Sequence, residues 1–202
     1  MLNRVCIFAS GTENWAVDLN NKYGWPISAE KTSEKTLYIK KINGQLAVDY
    51  NNLQGICLNF SEPKKLSGSI LAKVIGKGRK TIIDATAGLL KDSVKMAYLG
   101  HKVLAYEKNP LIYELGKSAL ENAPDKVKDN IEIIYKDSLS LSVVSPEVIY
   151  IDPMFSFKRK KALPKKDMQL FKIIMEVFDE SDVKMEAKLL KWATDTLSLI
   201  HI

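Results

Sequence analysis

Cysteine is scarce in this chain of 202 residues: Cys6 and Cys57 are the only two, and histidine is as rare, at His101 and His201. The cysteines form no CxxC and no Cys/His cluster, which excludes a disulfide framework and a structural zinc site and leaves no metal site to expect. Such cysteine usage suits a reducing cytoplasm. No apolar run approaches the ~20 residues that cross a bilayer, so no membrane partner is expected. The first residues, with Arg4 among them, lack the apolar core of a signal peptide. A full G-x-G-x-x-G is missing as well, which argues against a glycine cradle for a pyrophosphate and so against an NAD-type dehydrogenase. What the chain does have is a modest cationic excess, 30 Lys and Arg against 24 Asp and Glu, net +6. That favours a polyanionic partner.

Two regions differ in texture. Residues 1–62 alternate short apolar runs with Gly, Asn and Pro, and Thr36 to Tyr50 reads as a β-hairpin turning at Asn43-Gly44. This predicts a small strand-rich N-terminal module. Residues 63–202 open with a short helix between Gly68 and Gly76 and then alternate strand and helix. Strands are predicted at Thr81–Thr86, His101–Glu107, Ile131–Tyr135 and Val148–Ile151. Helices are predicted at Asp92–Leu99, from Pro110 to about Ala123 with Asn109 as N-cap, at Gln169–Phe178 and at Lys184–Trp192. Alternation of this kind predicts an α/β fold, a parallel Rossmann-like sheet with helices on both faces.

The strand ends carry the chemistry. Asp84-Ala85-Thr86-Ala87-Gly88 closes the first strand with small residues that let a nucleotide-like ligand approach the backbone closely. Glu107 ends the second strand at roughly the ~20-residue spacing that suits an acceptor for ribose hydroxyls. Asp137-Ser138 follows the third, where a side chain can meet an adenine edge. Singly, each acid reads equally as a helix cap or a loop residue. Together they offer carboxylates and no phosphate cradle, a set that fits S-adenosylmethionine, which has no pyrophosphate and presents a ribose and an amino group.

The fourth strand delivers Asp152-Pro153-Met154-Phe155. An acceptor carboxylate, a fixed carbonyl at Pro153 and the aromatic face of Phe155 suit a flat heterocycle with an exocyclic amine. Next comes a run with six cations, Lys158, Arg159, Lys160, Lys161, Lys165 and Lys166, which fits contact with nucleic-acid phosphates.

The blocks Asp84-Ala85-Thr86-Ala87-Gly88-Leu89, Glu107-Lys108-Asn109-Pro110 and Asp152-Pro153-Met154-Phe155, in this order, resemble the ribosomal RNA small subunit methyltransferase J family over roughly Leu66 to Lys191. The resemblance implies a class I S-adenosylmethionine-dependent methyltransferase that methylates the exocyclic N2 of a guanosine in small-subunit (16S) rRNA, free or in the assembling subunit. It implies cofactor contacts at Lys91, Asp92, Glu107, Lys108, Asp137, Ser138 and Asp152, beside Asp84 and Gly88 from the strand-end reading. Asp152, Pro153 and Phe155 are the implied catalytic residues. Two competing readings are a non-catalytic basic Rossmann-like RNA-binding module and an amino-methyltransferase acting on DNA or protein. Leu90 stands where the family usually has a second glycine, and its branched side chain is expected either to crowd the methionine moiety or to resist a positive φ. Thr196–Ile202 match nothing in the family, so the chain is expected to be C-terminally truncated.

Overall fold

The structure, a computed structural model, describes residues 5–31, 33, 35–63, 66, 68–141, 146–152, 165–178 and 185–198. They fall into two compact units, one built from residues 1–58 and 162–179 and the other from 59–161 and 180–202.

In the first unit, strands β1 (Val5–Phe8), β2 (Ile27–Ser28), β3 (Leu37–Ile42), β4 (Gln45–Tyr50) and β5 (Leu53–Ile56) form a mixed sheet in the order β2-β1-β3-β4-β5. The predicted hairpin is β3–β4, with Ile42 opposite Gln45. Its two-residue turn has φ of 50° at Asn43 and 81° at Gly44, the left-handed pair whose twist matches the strands it joins. Helix α1 (Asn14–Tyr23), not expected from the sequence, lies between β1 and β2 in the chain and buries Ala16 and Leu19. A helix at Lys166–Val177 packs on β5 and buries Leu170, Phe171 and Ile174. Among the described residues of this unit one carboxylate is buried, Asp49. Burial alone would raise its pKa, but ion pairs with Lys31 and Lys40 and the Gly55 N–H hold it below the usual range.

The second unit carries four parallel strands, β6 (Thr81–Asp84), β7 (Lys102–Glu107), β8 (Ile131–Tyr135) and β9 (Val148–Tyr150), in the order β8-β7-β6-β9. The predicted strands all form, shorter at some ends. Helices α2 (Ile70–Ile75), α3 (Lys91–Tyr98), α4 (Pro110–Glu121) and α5 (Asp125–Lys128) accompany them, with a final helix at Met185–Ser198. Parallel pairing demands crossovers, and α3 and α4 supply them. They pack on the face that carries Ile82, Val103, Ala105 and Ile133. The Met185–Ser198 helix covers the other face, where Leu189 and Trp192 join Ile83, Tyr106 and Ile149. Trp192 is therefore a packing residue, its Nε1–H donating to the Leu141 carbonyl at 3.4 Å. Asn109 caps α4 as expected, its Oδ1 accepting from Leu111 N and Ile112 N at 3.0 and 3.1 Å, with Pro110 in the first turn.

From β6 the chain steps outward to β7 and β8, then returns to place β9 on β6's other side. The order reverses between β6 and β9, and in open α/β sheets ligands bind in the crevice beyond the carboxyl ends at such a point. His101 sits at the opposite, amino end of β7. It is buried, its Nδ1 accepts from Lys80 N at 3.3 Å, and burial lowers its pKa, all of which is structural. Among the described residues no group of His, Cys, Asp and Glu could hold a metal ion, and no helix is long and apolar enough to cross a membrane.

Candidate functional site

The apolar residues Ile82 and Ile83 seat β6 between its neighbours, so its last residue, Asp84, arrives at the carboxyl edge almost wholly buried, 1% exposed. Helix α3 returns over that edge and presents Ser93, whose hydroxyl donates to Asp84 Oδ2 at 2.5 Å, while Thr86 N–H donates to Oδ1 at 3.2 Å. Burial pushes the Asp84 carboxyl up to about 6. The two hydrogen bonds oppose that rise, and the charges of Asp92 and Asp152 add to it. Asp84 thus feels two further carboxylates at this edge.

Asp92, in the first turn of α3, pairs with Lys95 at 2.6 Å and accepts the Tyr150 hydroxyl at 2.9 Å. Tyr150 lies in register with Asp84 on β9. Burial raises its phenol pKa well above the ordinary value, and Asp92, Asp152 and Asp84 raise it further. Two residues on, the Asp152 N–H donates to Thr86 Oγ1 at 2.8 Å, and the Asp152 side chain is exposed. Thr86, Ser93 and Tyr150 are not among the candidate residues read from the sequence. Only the adjacency of Thr86 to Asp84 and of Tyr150 to Asp152 could have marked them.

Glu107, at the end of β7, is buried and bridges two loops: Oε2 accepts from Gly88 N at 2.9 Å and Oε1 from Asn109 N at 2.7 Å. A carboxylate offers about four lone-pair sites on two oxygens, the chemistry that suits this position to hydroxyl donors. After β8, Asp137 caps a short 3-10 turn, Ser138–Ser140, by accepting from Leu139 N at 3.0 Å. The buried Ser138 hydroxyl donates to the Ala85 carbonyl at 3.0 Å and ties that turn to the end of β6. Lys91 is exposed at the start of α3, and Lys108 is half-buried beside Glu107. The fold therefore brings Asp84, Gly88, Asp92, Glu107, Ser138 and Asp152 to one sheet edge. Lys165 and Lys166 belong to the first unit, where they are exposed at the head of the Lys166–Val177 helix. Pro153, Phe155, Lys158, Arg159, Lys160 and Lys161 lie outside the described residues.

Leu90 corrects an expectation. It does not resist the left-handed turn: it takes φ 58° and ψ 15° as the residue that opens α3. Nor does it stand toward the crevice. It is fully buried, and its Cδ1 lies 3.1 Å from where a Cβ on Gly116 of α4 would stand.

Comparison with known proteins gives the family and the fold. The family profile described as "Putative SAM-dependent methyltransferase" matches residues 13–197. Curated relatives named ribosomal RNA small subunit methyltransferase J include one from Buchnera aphidicola of Acyrthosiphon pisum, strain APS, 42% identical over 101 residues, 46% of this chain and 41% of the relative. One from Buchnera aphidicola of Schizaphis graminum is 35% identical over 154 residues, 70% of this chain and 59% of the relative. One from Pseudoalteromonas translucida is 31% identical over 172 residues, 79% of this chain and 65% of the relative. The chain thus spans about 41% to 65% of the length of these relatives. The crystal structure of a SAM-dependent methyltransferase from Neisseria gonorrhoeae superposes with a TM-score of 0.62 at 17% identity, covering 95% of this chain and 80% of that one. That likeness is one of fold, and the resemblance read from the sequence blocks is borne out by the curated relatives.

Proposed function

The chain belongs to the putative SAM-dependent methyltransferase family, and from that premise we propose that it binds S-adenosylmethionine (SAM) at the carboxyl edge of its second unit. We further propose that it transfers a methyl group to the exocyclic N2 of a guanosine in small-subunit rRNA, in the cytoplasm, on free rRNA or on the assembling subunit. The observation that carries the cofactor reading is the convergence of Asp84, Asp92 and Asp152 on one sheet edge, where Asp92 and Asp152 raise the pKa of Asp84 and all three raise that of Tyr150. Like charges held together cost free energy that a cation offsets; Lys95 already pairs with Asp92, and SAM brings an ammonium and a sulfonium to the rest of the cluster. Glu107, an acceptor at the end of β7, is placed to take the ribose hydroxyls, and Asp137 and Ser138 flank the position for adenine. Helix α3 starts without a side-chain cap, so its first-turn N–H groups suit the carboxylate of the methionine moiety, with Lys91 beside them. Lys108, next to Glu107, completes the set.

When bound, SAM supplies a methyl group activated on sulfonium sulfur. The protein's own part is to present the acceptor. A guanine N2 lone pair is delocalised into the ring and is a poor nucleophile. Asp152 and the Pro153 carbonyl accept its two N–H bonds and turn the lone pair toward the methyl, and Asp152 takes the proton that nitrogen loses as the N–C bond forms. Phe155 stacks on the base, a contact worth about 1–3 kcal/mol. Orientation of this kind supplies ~7–11 kcal/mol in well-aligned systems. The base must leave its stack to enter, and the cations from Lys158 to Lys166 hold the flanking phosphates. The relatives' name supports the rRNA assignment.

The test is calorimetric titration with S-adenosylhomocysteine (SAH), followed by transfer of a tritiated methyl to small-subunit rRNA and mapping of the product. Binding with label on a guanine N2 is the expected result. No SAH binding refutes the cofactor reading, and label on another atom or only on DNA or protein refutes the acceptor.

A further inference from the structure

The strand ladder that carries the acceptor acid ends before reaching it. Tyr150 is the last residue of β9 in register with β6, opposite Asp84, and its carbonyl accepts from Ala85 N at 3.0 Å. Asp152 lies two positions further on, exposed, past the last rung of the sheet. There its N–H donates to the Thr86 hydroxyl at 2.8 Å. Thr86 is a well-anchored partner. Its own N–H donates to Asp84 Oδ1 at 3.2 Å, and the next amide, Ala87 N–H, donates to the Tyr106 carbonyl at 3.3 Å. A β-branched side chain also has few χ1 choices, so the hydroxyl is aimed before Asp152 meets it.

We infer that Thr86 is a positioning residue for the acceptor half of the reaction. Its hydroxyl fixes the backbone at Asp152 and so registers the acceptor carboxylate against the same turn, Asp84 to Gly88, that faces the cofactor. The inference rests on the proposed reading of Asp152 as the acceptor of the guanine amine. Thr86 bonds to no reacting atom. Its effect is on distance: one short turn holds the carboxylate on the donor side directly and the carboxylate on the acceptor side through one side-chain bond. Errors in their separation are then limited to the play in that bond. This matters because a misplacement of ~1 Å can cost about 10²-fold in rate.

The pair Thr86→Val and Thr86→Ser tests it. Valine keeps the shape and the stiffness and removes the acceptor, whereas serine keeps the acceptor. In Thr86→Val, kcat falls about tenfold to a hundredfold, while KM for rRNA and SAH affinity stay within about twofold, the pattern of a group that acts after binding. Thr86→Ser recovers most of kcat. A second readout does not depend on turnover. Hydrogen exchange at the Asp152 amide, followed by NMR with SAH present, speeds up in Thr86→Val and not in Thr86→Ser. The inference is overturned if Thr86→Val matches the wild type in kcat and exchange, or if serine fails as badly as valine. It is also overturned if the loss appears equally in SAH affinity, which would make Thr86 a cofactor contact. A wild-type protein that transfers no methyl to rRNA refutes the acceptor reading instead, and the exchange experiment then still decides whether Thr86 holds Asp152.

Discussion

Leu90 and Gly116 fit one another: Leu90, at φ 58° and fully buried, places its Cδ1 3.1 Å from the point a Gly116 Cβ would occupy. The same point is 2.7 Å from Ile133 Cδ1. A glycine inside α4 costs helix stability, about 1 kcal/mol relative to alanine, and here it makes room for a leucine that is itself in a costly conformation. The helix thus gives up a side chain at Gly116 where the turn carries one at Leu90.

That fit predicts an inverted order of substitutions. Leu90→Ala empties a core position, a loss of about 2–5 kcal/mol, and keeps the strained φ. Leu90→Gly empties the same space but relieves about 1–2 kcal/mol of left-handed strain. Urea denaturation is expected to show Leu90→Gly the more stable of the two by about 1 kcal/mol, the reverse of the usual ranking of alanine over glycine. Gly116→Ala is expected to lose about 1–3 kcal/mol to overpacking, a penalty partly relieved in the Leu90→Ala background, and a double-mutant cycle would show that coupling.

Asp84 gives a pH signature. Its folded pKa, about 6, lies above the ~3.9 of an unfolded aspartate. The folded state therefore binds the proton more tightly, and stability from this group is greatest below pH ~4, falls as pH rises toward 6 and is level above that. The full span is about 3 kcal/mol. Denaturation midpoints of the wild type minus those of Asp84→Asn, followed from pH 4 to 7, are expected to trace that fall. A difference that does not change with pH would contradict it.

The same group links pH to ligand. SAH retains the ammonium of SAM, which the ionised Asp84 favours. Affinity measured by calorimetry is therefore expected to rise as pH passes upward through about 6 and to lose this step in Asp84→Asn.

Asp152→Ala removes the proposed acceptor for the amine. Methyl transfer is expected to fall below detection while RNA affinity, read by filter binding, changes less than about threefold, as for a group whose interaction is made in the transition state. Unchanged transfer in the tritium assay would remove Asp152 from the reaction.

Lys165 and Lys166 are exposed. If they neutralise RNA phosphates, replacing each with alanine lowers the slope of log affinity against log salt by about 0.7–0.9. A slope that does not change assigns them to solvent.

The four strands of the second unit are legible in the sequence because buried parallel strands are apolar runs bounded by turns: Ile82-Ile83 and Val148-Ile149 announce themselves, and so do the cap Asn109 and the turn Asn43-Gly44. The acids at the strand ends follow from the same periodicity. Pairings over long separation leave no such trace. Nothing near Thr86 in the chain points to Asp152, nor near Ser93 to Asp84. The turn at Leu90 cannot be judged by its φ alone, because the space that admits the side chain is opened by Gly116 on another helix. Helix α1 has a weak signal of its own. It buries only Ala16 and Leu19, its Val17 is exposed, and Glu13 at its head makes no side-chain cap.

Glu107 joins the Gly88 amide to the Asn109 amide through its two oxygens. The turn after β6 and the head of α4 are thereby tied together through one side chain. An entering molecule then gives up its own freedom but does not have to freeze the protein's, which is where preformed sites gain affinity. The length of the side chain is what makes this possible. Glu107→Asp keeps the charge yet is one methylene too short to reach both amides, so by this measure the nearest chemical neighbour of Glu107 is a poor substitute for it.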